Sequence, residues 1–487
     1  MSHDTERLSR TWIDSDRVVP SRFVKPLVQF THIEAAGGMV LLVATVVALM
    51  WANAPFGESY EAFWETHLTF DVGGFHFDES LTHIVNDALM VIFFFVVGLE
   101  IKRELVVGEL NDLKRAALPA VAALGGMVAP ALIYVAFTLS TGGEAAHGWG
   151  IPMATDIAFS VGVISLLGTR VSVSAKLFLL ALAIADDIGA IAVIAIFYTS
   201  DLALGWLVAA IAGLVLVYVS QRVHIRSMLY YSVLGVAIWF FVFESGVHAT
   251  LAGVALGLMT PVHSYITDDE FRRRGGWILS RYEMDAASTL PRERIDANAL
   301  EMADLARESV APLDRLERRL HPWSSFVVIP LFALANAGIR FADIDVVEAA
   351  TSPVALGVAA GLVVGKIGGI ALATWLAVRF GIGRLPRRTG WRQILGLGAL
   401  AGIGFTVSLF ITELAFTDVV IADAAKIGIF VGSTVAGVVG YLLLRSSPTP
   451  QEELEASRRA MGLDEYEGYD YVDVDGRPPE STPTAGG

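Results

Sequence analysis

Asp186 and Asp187 stand side by side within LLALAIADDIGAIAVIAIFY (179–198), a stretch otherwise almost free of polar groups. A membrane-spanning helix needs about 20 largely apolar residues, so this segment is long enough to cross a bilayer. A carboxylate at mid-bilayer costs about 2.5–3.5 kcal/mol on insertion scales, which makes intramembrane acids functional residues by default. Neighbours on a helix point about 100° apart. One of the pair can therefore face an ion cavity while the other faces a countercharge. Three further ionisable groups lie in apolar runs: Asp156 beside Thr155 in MATDIAFS, Lys366 in AAGLVVGKIGGIALATW, and Asp87 in IVNDALMVIFFF.

A lone lysine at membrane depth demands a carboxylate partner. The acids outnumber it, so at least one must be protonated, hydrogen-bonded or bound to a cation. A site that alternates between proton and cation exchanges them. Carboxylate, hydroxyl and carbonyl oxygens suit hard cations such as Na⁺ and Li⁺, and burial brings proton and cation into competition. Broken helices add a second consideration. Two discontinuous spans meeting head-on leave like dipole ends facing each other, which Asp156 could balance at the positive ends and Lys366 at the negative ends.

The elements that must position these groups are membrane spans. The chain has 487 residues, 54% of them apolar, and a mean hydropathy of +0.58. It has no cysteine, so disulfides, thiol catalysis and cysteine metal sites are excluded. The polar start lacks the apolar core of a secretory signal. About twelve apolar segments are expected, near 37–54, 81–100, 116–139, 151–167, 175–198, 203–219, 228–243, 247–261, 323–337, 353–378, 395–415 and 422–444. Segment four is short and contains Pro152 and Gly162; segment eleven carries Gly396, Gly398, Gly402 and Gly404. Lysine and arginine favour the cytoplasmic side. With both termini inside, the expected outer loops 53–80, 139–150, 199–202 and 244–246 hold no lysine or arginine, whereas loop 379–392 holds Arg379, Arg384, Arg387, Arg388 and Arg392; only Arg340, Lys366 and Lys426 fall outside the expected cytoplasmic segments. An odd number of spans would break this alternation.

Flanking regions complete the plan. Residues 1–27 read as a polar arm, 28–445 as the transport domain, and 446–487 as an acidic, solvating tail with no packed structure. The alternation around Gly73–Gly74 predicts a β-hairpin in the outer loop 55–80. Its exposed edge could pair with a second copy, giving a homodimer. The loop 263–322 is rich in charge, with helical spacing in its later part.

Several motifs, taken together and in order, resemble the NhaA-type Na⁺/H⁺ antiporters. They are VNDALMVIFFFVVGLEIKRE (85–104), ATDIAF (154–159), ADDIGAI (185–191), SGVHATLAG (245–253), LHPW (320–323), PLFALANAG (330–338), GKIGGI (365–370) and GIGFTVSLFI (402–411). The resemblance covers roughly residues 25–445. It implies an all-α membrane protein of twelve helices with inverted repeats, crossed discontinuous spans four and eleven, and a hairpin-mediated dimer. It implies Asp187 as the principal cation and proton carboxylate, with Asp186 its neighbour, paired with Lys366 in the inactive state. Thr155 and Asp156 would lie at the crossing. Glu100, Glu104, His248, Glu317 and His321 match a cytoplasmic pH-sensing cluster, with Arg318 standing where a second histidine is usual. The expected activity is electrogenic, pH-regulated export of Na⁺ or Li⁺ against protons, in a bacterial inner membrane, with lipid as surroundings, no cofactor and no nucleic-acid partner.

Two other classes share some of these features. An intramembrane aspartyl protease needs two acids at membrane depth, but on separate helices in motifs such as Gly-x-Gly-Asp, which does not occur here. A Na⁺-driven symporter would need a larger polar pocket, in which Lys366 could hold an anion.

Overall fold

A computed structural model describes residues 36–72, 75–199, 202–287, 291–387 and 389–449. The expected arm at 1–27, the turn residues Gly73–Gly74 and all but the first residues of the tail lie outside these. Among the described residues the protein is mostly helical, with one two-stranded antiparallel sheet. Six helices are long and apolar enough to cross a membrane, and two bent pairs would raise the number to eight. The chain is therefore a multi-pass membrane protein.

The order begins with α1 (Ala36–Ala52) and α2 (Glu58–Trp64). A hairpin follows, β1 (His67–Val72) and β2 (Phe75–Ser80), antiparallel with His67 opposite Ser80 and Val72 opposite Phe75. The hairpin expected over 55–80 is thus confined to 67–80. Residues 58–64 are helical instead, because Tyr60 and Trp64 bury one face of that short helix and the Tyr60 hydroxyl reaches the Leu334 and Ala335 carbonyls at 2.8 and 2.9 Å, able to donate to either. α3 (Leu81–Val106) and α4 (Leu113–Thr138) come next. A 3₁₀ segment, Gly143–Met153, leads through a short break to α5 (Ile157–Leu167) and α6 (Val173–Phe197). α7 (Leu204–Arg222), α8 (Met228–Glu244) and the short α9 (Thr250–Met259) follow.

The 263–322 loop is helical throughout most of its length, not only in its later part. α10 (Asp268–Ala286) and α11 (Arg292–Glu308) pack on each other through Phe271, Ile278, Met302 and Leu305. α12 (Pro312–Trp323) runs through a π turn into α13 (Ile329–Asn336). The remaining elements are α14 (Val346–Thr351), α15 (Pro353–Arg379), α16 (Trp391–Ala401), α17 (Phe405–Ala415) and α18 (Val419–Arg445).

Local chemistry sets many of these boundaries. Ser172, Ser227, Ser352 and Asp418 each accept a hydrogen bond from a backbone N–H of the first turn they precede. Pro353 sits at the first helical position, where its missing N–H costs nothing. α4 and α15 then pack backbone to backbone. A Cβ on Gly125 would lie 2.4 Å from the Gly369 carbonyl oxygen, and one on Gly369 would lie 2.2 Å from that of Gly125. Small residues allow such approach where lipid offers no hydrophobic drive for association. This close contact carries Lys366, on α15, into the centre of the protein.

Candidate functional site

Two chain breaks meet at the centre. The 3₁₀ segment and the helix that continues it from Ile157 are bent by 40°, and α16 and α17 by 44°. The breaks at Ala154–Asp156 and Gly402–Gly404 are stitched together by main-chain and hydroxyl groups. Asp156 N donates to Ile403 O at 2.6 Å. Ser160 Oγ donates to Leu400 O at 2.7 Å, and Ser408 Oγ to Ile151 O at 2.8 Å. Helix ends leave unpaired carbonyls and N–H groups, and these contacts satisfy part of that demand across the crossing. A Cβ on Gly404 would lie 2.2 Å from Ser408 Oγ and 3.1 Å from the Ala154 carbonyl oxygen, so it would push the Ser408 hydroxyl off its bond to Ile151.

Asp156 serves both positive ends. It is the N-cap of α5, accepting from Phe159 N at 3.1 Å through Oδ1. Its Oδ2 accepts from Thr406 Oγ1 at 2.7 Å and from Thr406 N at 3.2 Å, in the first turn of α17. Both carboxylate oxygens are thereby engaged, and the residue is 3% exposed. An anion between two helix N-termini is electrostatically favourable.

The other end of the crossing holds the lysine. Lys366 is fully buried, and its Nζ lies 2.6 Å from Asp186 Oδ2 and 3.0 Å from Thr155 Oγ1. Thr155 Oγ1 also lies 2.7 Å from Asp186 Oδ2 and 2.7 Å from Ala401 O, the last carbonyl of α16. A hydroxyl has one proton. Thr155 can accept from Lys366 and donate to only one of the two oxygens at a time. Asp186 Oδ1 is buried without a hydrogen-bond partner among the described residues, so Asp186 is held through Oδ2 alone.

Asp187 is different. It is 8% exposed and has no hydrogen-bond partner among the described residues. It borders a cavity of about 10 Å³ whose other walls are the apolar Phe93, Phe94, Val97, Ala190, Ile191, Ile194 and Val407. That is room for about one water. Two acids one residue apart thus have separate environments: Asp186 is paired with a lysine, and Asp187 faces an apolar cavity with no side-chain partner among the described residues. Such an arrangement leaves one carboxylate available to take a proton or a cation.

Asp87 lies in a π turn (Ile84–Leu89) within α3, away from this centre. Its backbone oxygen accepts from Trp239 Nε1 at 3.1 Å, and the adjacent Asn86 exchanges side-chain hydrogen bonds with Asn336.

The pH-sensing candidates divide into two places. At the end of α3, Arg103 pairs with Glu317 at 2.7 Å and with Asp314, both on α12, and Glu100 faces Arg103 and Glu317. Glu104 accepts from Glu109 N at 2.8 Å, and His321 is one turn beyond Glu317 on α12. Burial holds the Glu317 carboxyl above the ordinary range, with Arg103 pulling it back, and burial lowers His321. His248 does not join this group, which corrects its placement in a single cytoplasmic cluster. α9 runs alongside α3, with Gly253 against Val91 and Gly257 against Gly98. Glu100 follows Gly98 whereas His248 precedes Gly253, so the two sit towards opposite ends of that helix pair. The His248 ring instead bonds the Tyr198 carbonyl at the end of α6.

Sequence reasoning missed Ser160, Thr406 and Ser408. The glycines of segment eleven were the available signal, because a break there exposes helix ends that nearby hydroxyls must satisfy.

Comparison with known proteins agrees with this geometry. Residues 28–444 match the family described as Na⁺/H⁺ antiporter 1. The chain is 46% identical over 421 residues to the Na⁺/H⁺ antiporter NhaA 2 of Myxococcus xanthus, covering 86% of this chain and 89% of that protein. It is 45% identical to the Na⁺/H⁺ antiporter NhaA of Syntrophobacter fumaroxidans, covering 88% and 93%. It is 46% identical to the one from Acidithiobacillus ferrooxidans, covering 86% and 97%. With a family match over most of its length and relatives at this identity, the chain belongs to the NhaA family of Na⁺/H⁺ antiporters, which are transporters and not enzymes.

Proposed function

We propose that this chain exports Na⁺, and Li⁺, from the cytoplasm in exchange for protons by alternating access, with Asp187 as the exchanging carboxylate. The observation that carries the reading is the division of labour between the two acids: Asp186 is neutralised by Lys366 at 2.6 Å, and Asp187 is unpartnered beside a cavity. Facing the cytoplasm, Asp187 releases its proton and takes Na⁺, with oxygens of Thr155 and the exposed helix ends in reach of the crossing. The crossed helices then shift, and protons displace Na⁺ on the other side. Transfer of the Lys366 ammonium away from Asp186 would accompany cation entry, since a cation near both carboxylates competes for the same charge. One proton on Asp187 per Na⁺ would be electroneutral, so the electrogenic cycle has a second proton leave the Asp186–Lys366 pair as that pair opens to the cation. No cofactor is needed, because the proton gradient supplies the energy.

The architecture that suits this cycle has twelve spans, with α1, α8, α9 and the 323–337 segment that holds α13 added to the longer helices and bent pairs. Spans three to five and ten to twelve are then inverted repeats. The transport domain is 28–445, both termini are cytoplasmic, and the membrane is the bacterial inner membrane. The absence of lysine and arginine from the loops at 139–150, 199–202 and 244–246 supports that orientation. The β1–β2 edge is the proposed dimer contact. The Arg103–Glu317 group, with Glu100, Glu104 and His321, is the proposed pH-responsive region.

The test is reconstitution into proteoliposomes with a preset ΔpH. Added Na⁺ or Li⁺ should dissipate it, at a rate that responds to a valinomycin/K⁺ potential. A ΔpH that survives both cations across the range from acid to alkaline would refute antiport.

A further inference from the structure

The described chain ends at a basic corner of the molecule. Arg170 Nη1 donates to Arg445 O at 2.9 Å. Ser172 Oγ and Thr389 Oγ1 lie 3.4 Å apart, and Gln393 Nε2 holds Pro448 O at 3.1 Å. These contacts gather the start of α6, the start of α16 and the end of α18. They bring Arg170, Lys176, Arg387, Arg392 and Arg445 into one neighbourhood. Arg170, Arg387, Arg392 and Arg445 are exposed. None of the five meets a carboxylate in an ion pair among the described residues. By contrast, Arg272, Arg274, Arg281 and Arg307 of α10 and α11 each meet an acid, Arg274 with Glu270 at 2.7 Å.

Beyond Thr449 the sequence changes sign. Residues 463–476 contain Asp464, Glu465, Glu467, Asp470, Asp473 and Asp475 and no basic residue. The start of this segment is about fifteen residues from Thr449. An extended residue spans about 3.3–3.6 Å, so the tether easily reaches across the corner. A short tether also holds its cargo at about millimolar effective concentration, so even a weak contact is populated. Tyr466, Tyr469 and Tyr471 are interleaved with the acids and offer ring faces to guanidinium groups.

We propose that residues 463–476 of this chain's own tail dock on the basic corner made by Arg170, Lys176, Arg387, Arg392 and Arg445. The contact is electrostatic and intramolecular. It bridges the ends of α6 and α16, the helices that carry Asp186, Asp187 and Ala401, and it does not depend on the transport reading.

The absence of native cysteine allows a direct test on the full chain. Thr169 is exposed at the corner. The pair Thr169→Cys with Tyr471→Cys is treated with a short bismaleimide in vesicles containing an anionic phospholipid. A control pair places the first cysteine at Ser280, which is exposed on α10. The expected result is several-fold more intramolecular cross-link for the Thr169 pair than for the control. The excess should vanish when the six acids become amides, and in about 1 M KCl, where the screening length is about 3 Å. Equal cross-linking for both pairs would overturn the proposal. So would an excess unaffected by neutralising the acids. An excess seen in neutral lipid and lost with anionic lipid would also overturn it, because it would assign the corner to lipid headgroups.

Discussion

Replacing Lys366 by Met isolates the energetics of the buried pair. Asp186 would keep only Thr155 as a partner, and Thr155 has a competing acceptor at Ala401 O, also at 2.7 Å. Two routes are open to the stranded acid. If it stays charged, removing one partner of a buried pair costs about 3–5 kcal/mol. If it takes a proton, starting from an ordinary Asp value near 3.9, the cost at pH 7 is about 4 kcal/mol. Both routes give the same size, but the second shrinks by about 1.4 kcal/mol for each pH unit lowered. Asp186→Asn alone should cost a similar amount by stranding the lysine. The double variant Asp186→Asn/Lys366→Met removes both charges and should recover most of the loss, because neutral replacement of a buried pair is often tolerated. Tryptophan-fluorescence melting of the purified chain, as a double-mutant cycle at several pH values, measures this. The expected coupling is about 3 kcal/mol or more, with the Lys366→Met deficit smaller at pH 5 than at pH 8. Additive losses in the double variant would refute the reasoning, since they would mean that the two charges do not compensate each other.

Other perturbations separate scaffold from chemistry. Asp156→Ala removes acceptors for Phe159 N and for both Thr406 donors; at about 1 kcal/mol per cap it should cost about 2 kcal/mol or more, read as a lowered melting temperature that Asp156→Asn partly restores. Gly404→Ala forces a Cβ onto Ser408 Oγ and Leu362, so it should lower stability by about 1–3 kcal/mol and slow exchange, whereas the same change at Gly205, which meets nothing within 4 Å, should alter neither. Glu317 is held above its ordinary value of about 4.3 by burial, so the folded state binds its proton more readily and this residue's contribution to stability falls as pH rises from that value through the folded one. Glu317→Gln should therefore flatten the melting-temperature difference across that window, and a difference that grows with pH in the opposite sense would contradict the assignment.

The ionisable centre was legible in the sequence because charge in an apolar run has few explanations. Lys366, Asp186 and Thr155 bond one another at the crossing, Asp187 follows Asp186 on the same helix but faces an apolar cavity, and Asp156 caps two helix starts. The hydroxyls of Ser160, Thr406 and Ser408 were not legible. Small hydroxyls in apolar helices often bond only their own preceding turn, as Thr412 does with the Ser408 carbonyl at 2.8 Å, and nothing in spacing separates those that cross to another element. The place of His248 was lost for a related reason. A motif match records which residues occur together in a family, not which end of a helix each occupies, and only the register of α9 against α3 decides that. The helix at 58–64 was masked by the aromatic and β-branched letters of the hairpin beside it.

The central claim is that Asp187 is the exchanging group and that its neighbour is not interchangeable with it. The most direct measurement is ²²Na⁺ efflux from proteoliposomes driven by an inward proton gradient, for the native chain and for Asp187→Asn. Asp187 has no hydrogen bond to lose among the described residues, so the variant should fold and melt as the native chain does while efflux disappears. Efflux at the native rate from a folded Asp187→Asn chain would contradict the account.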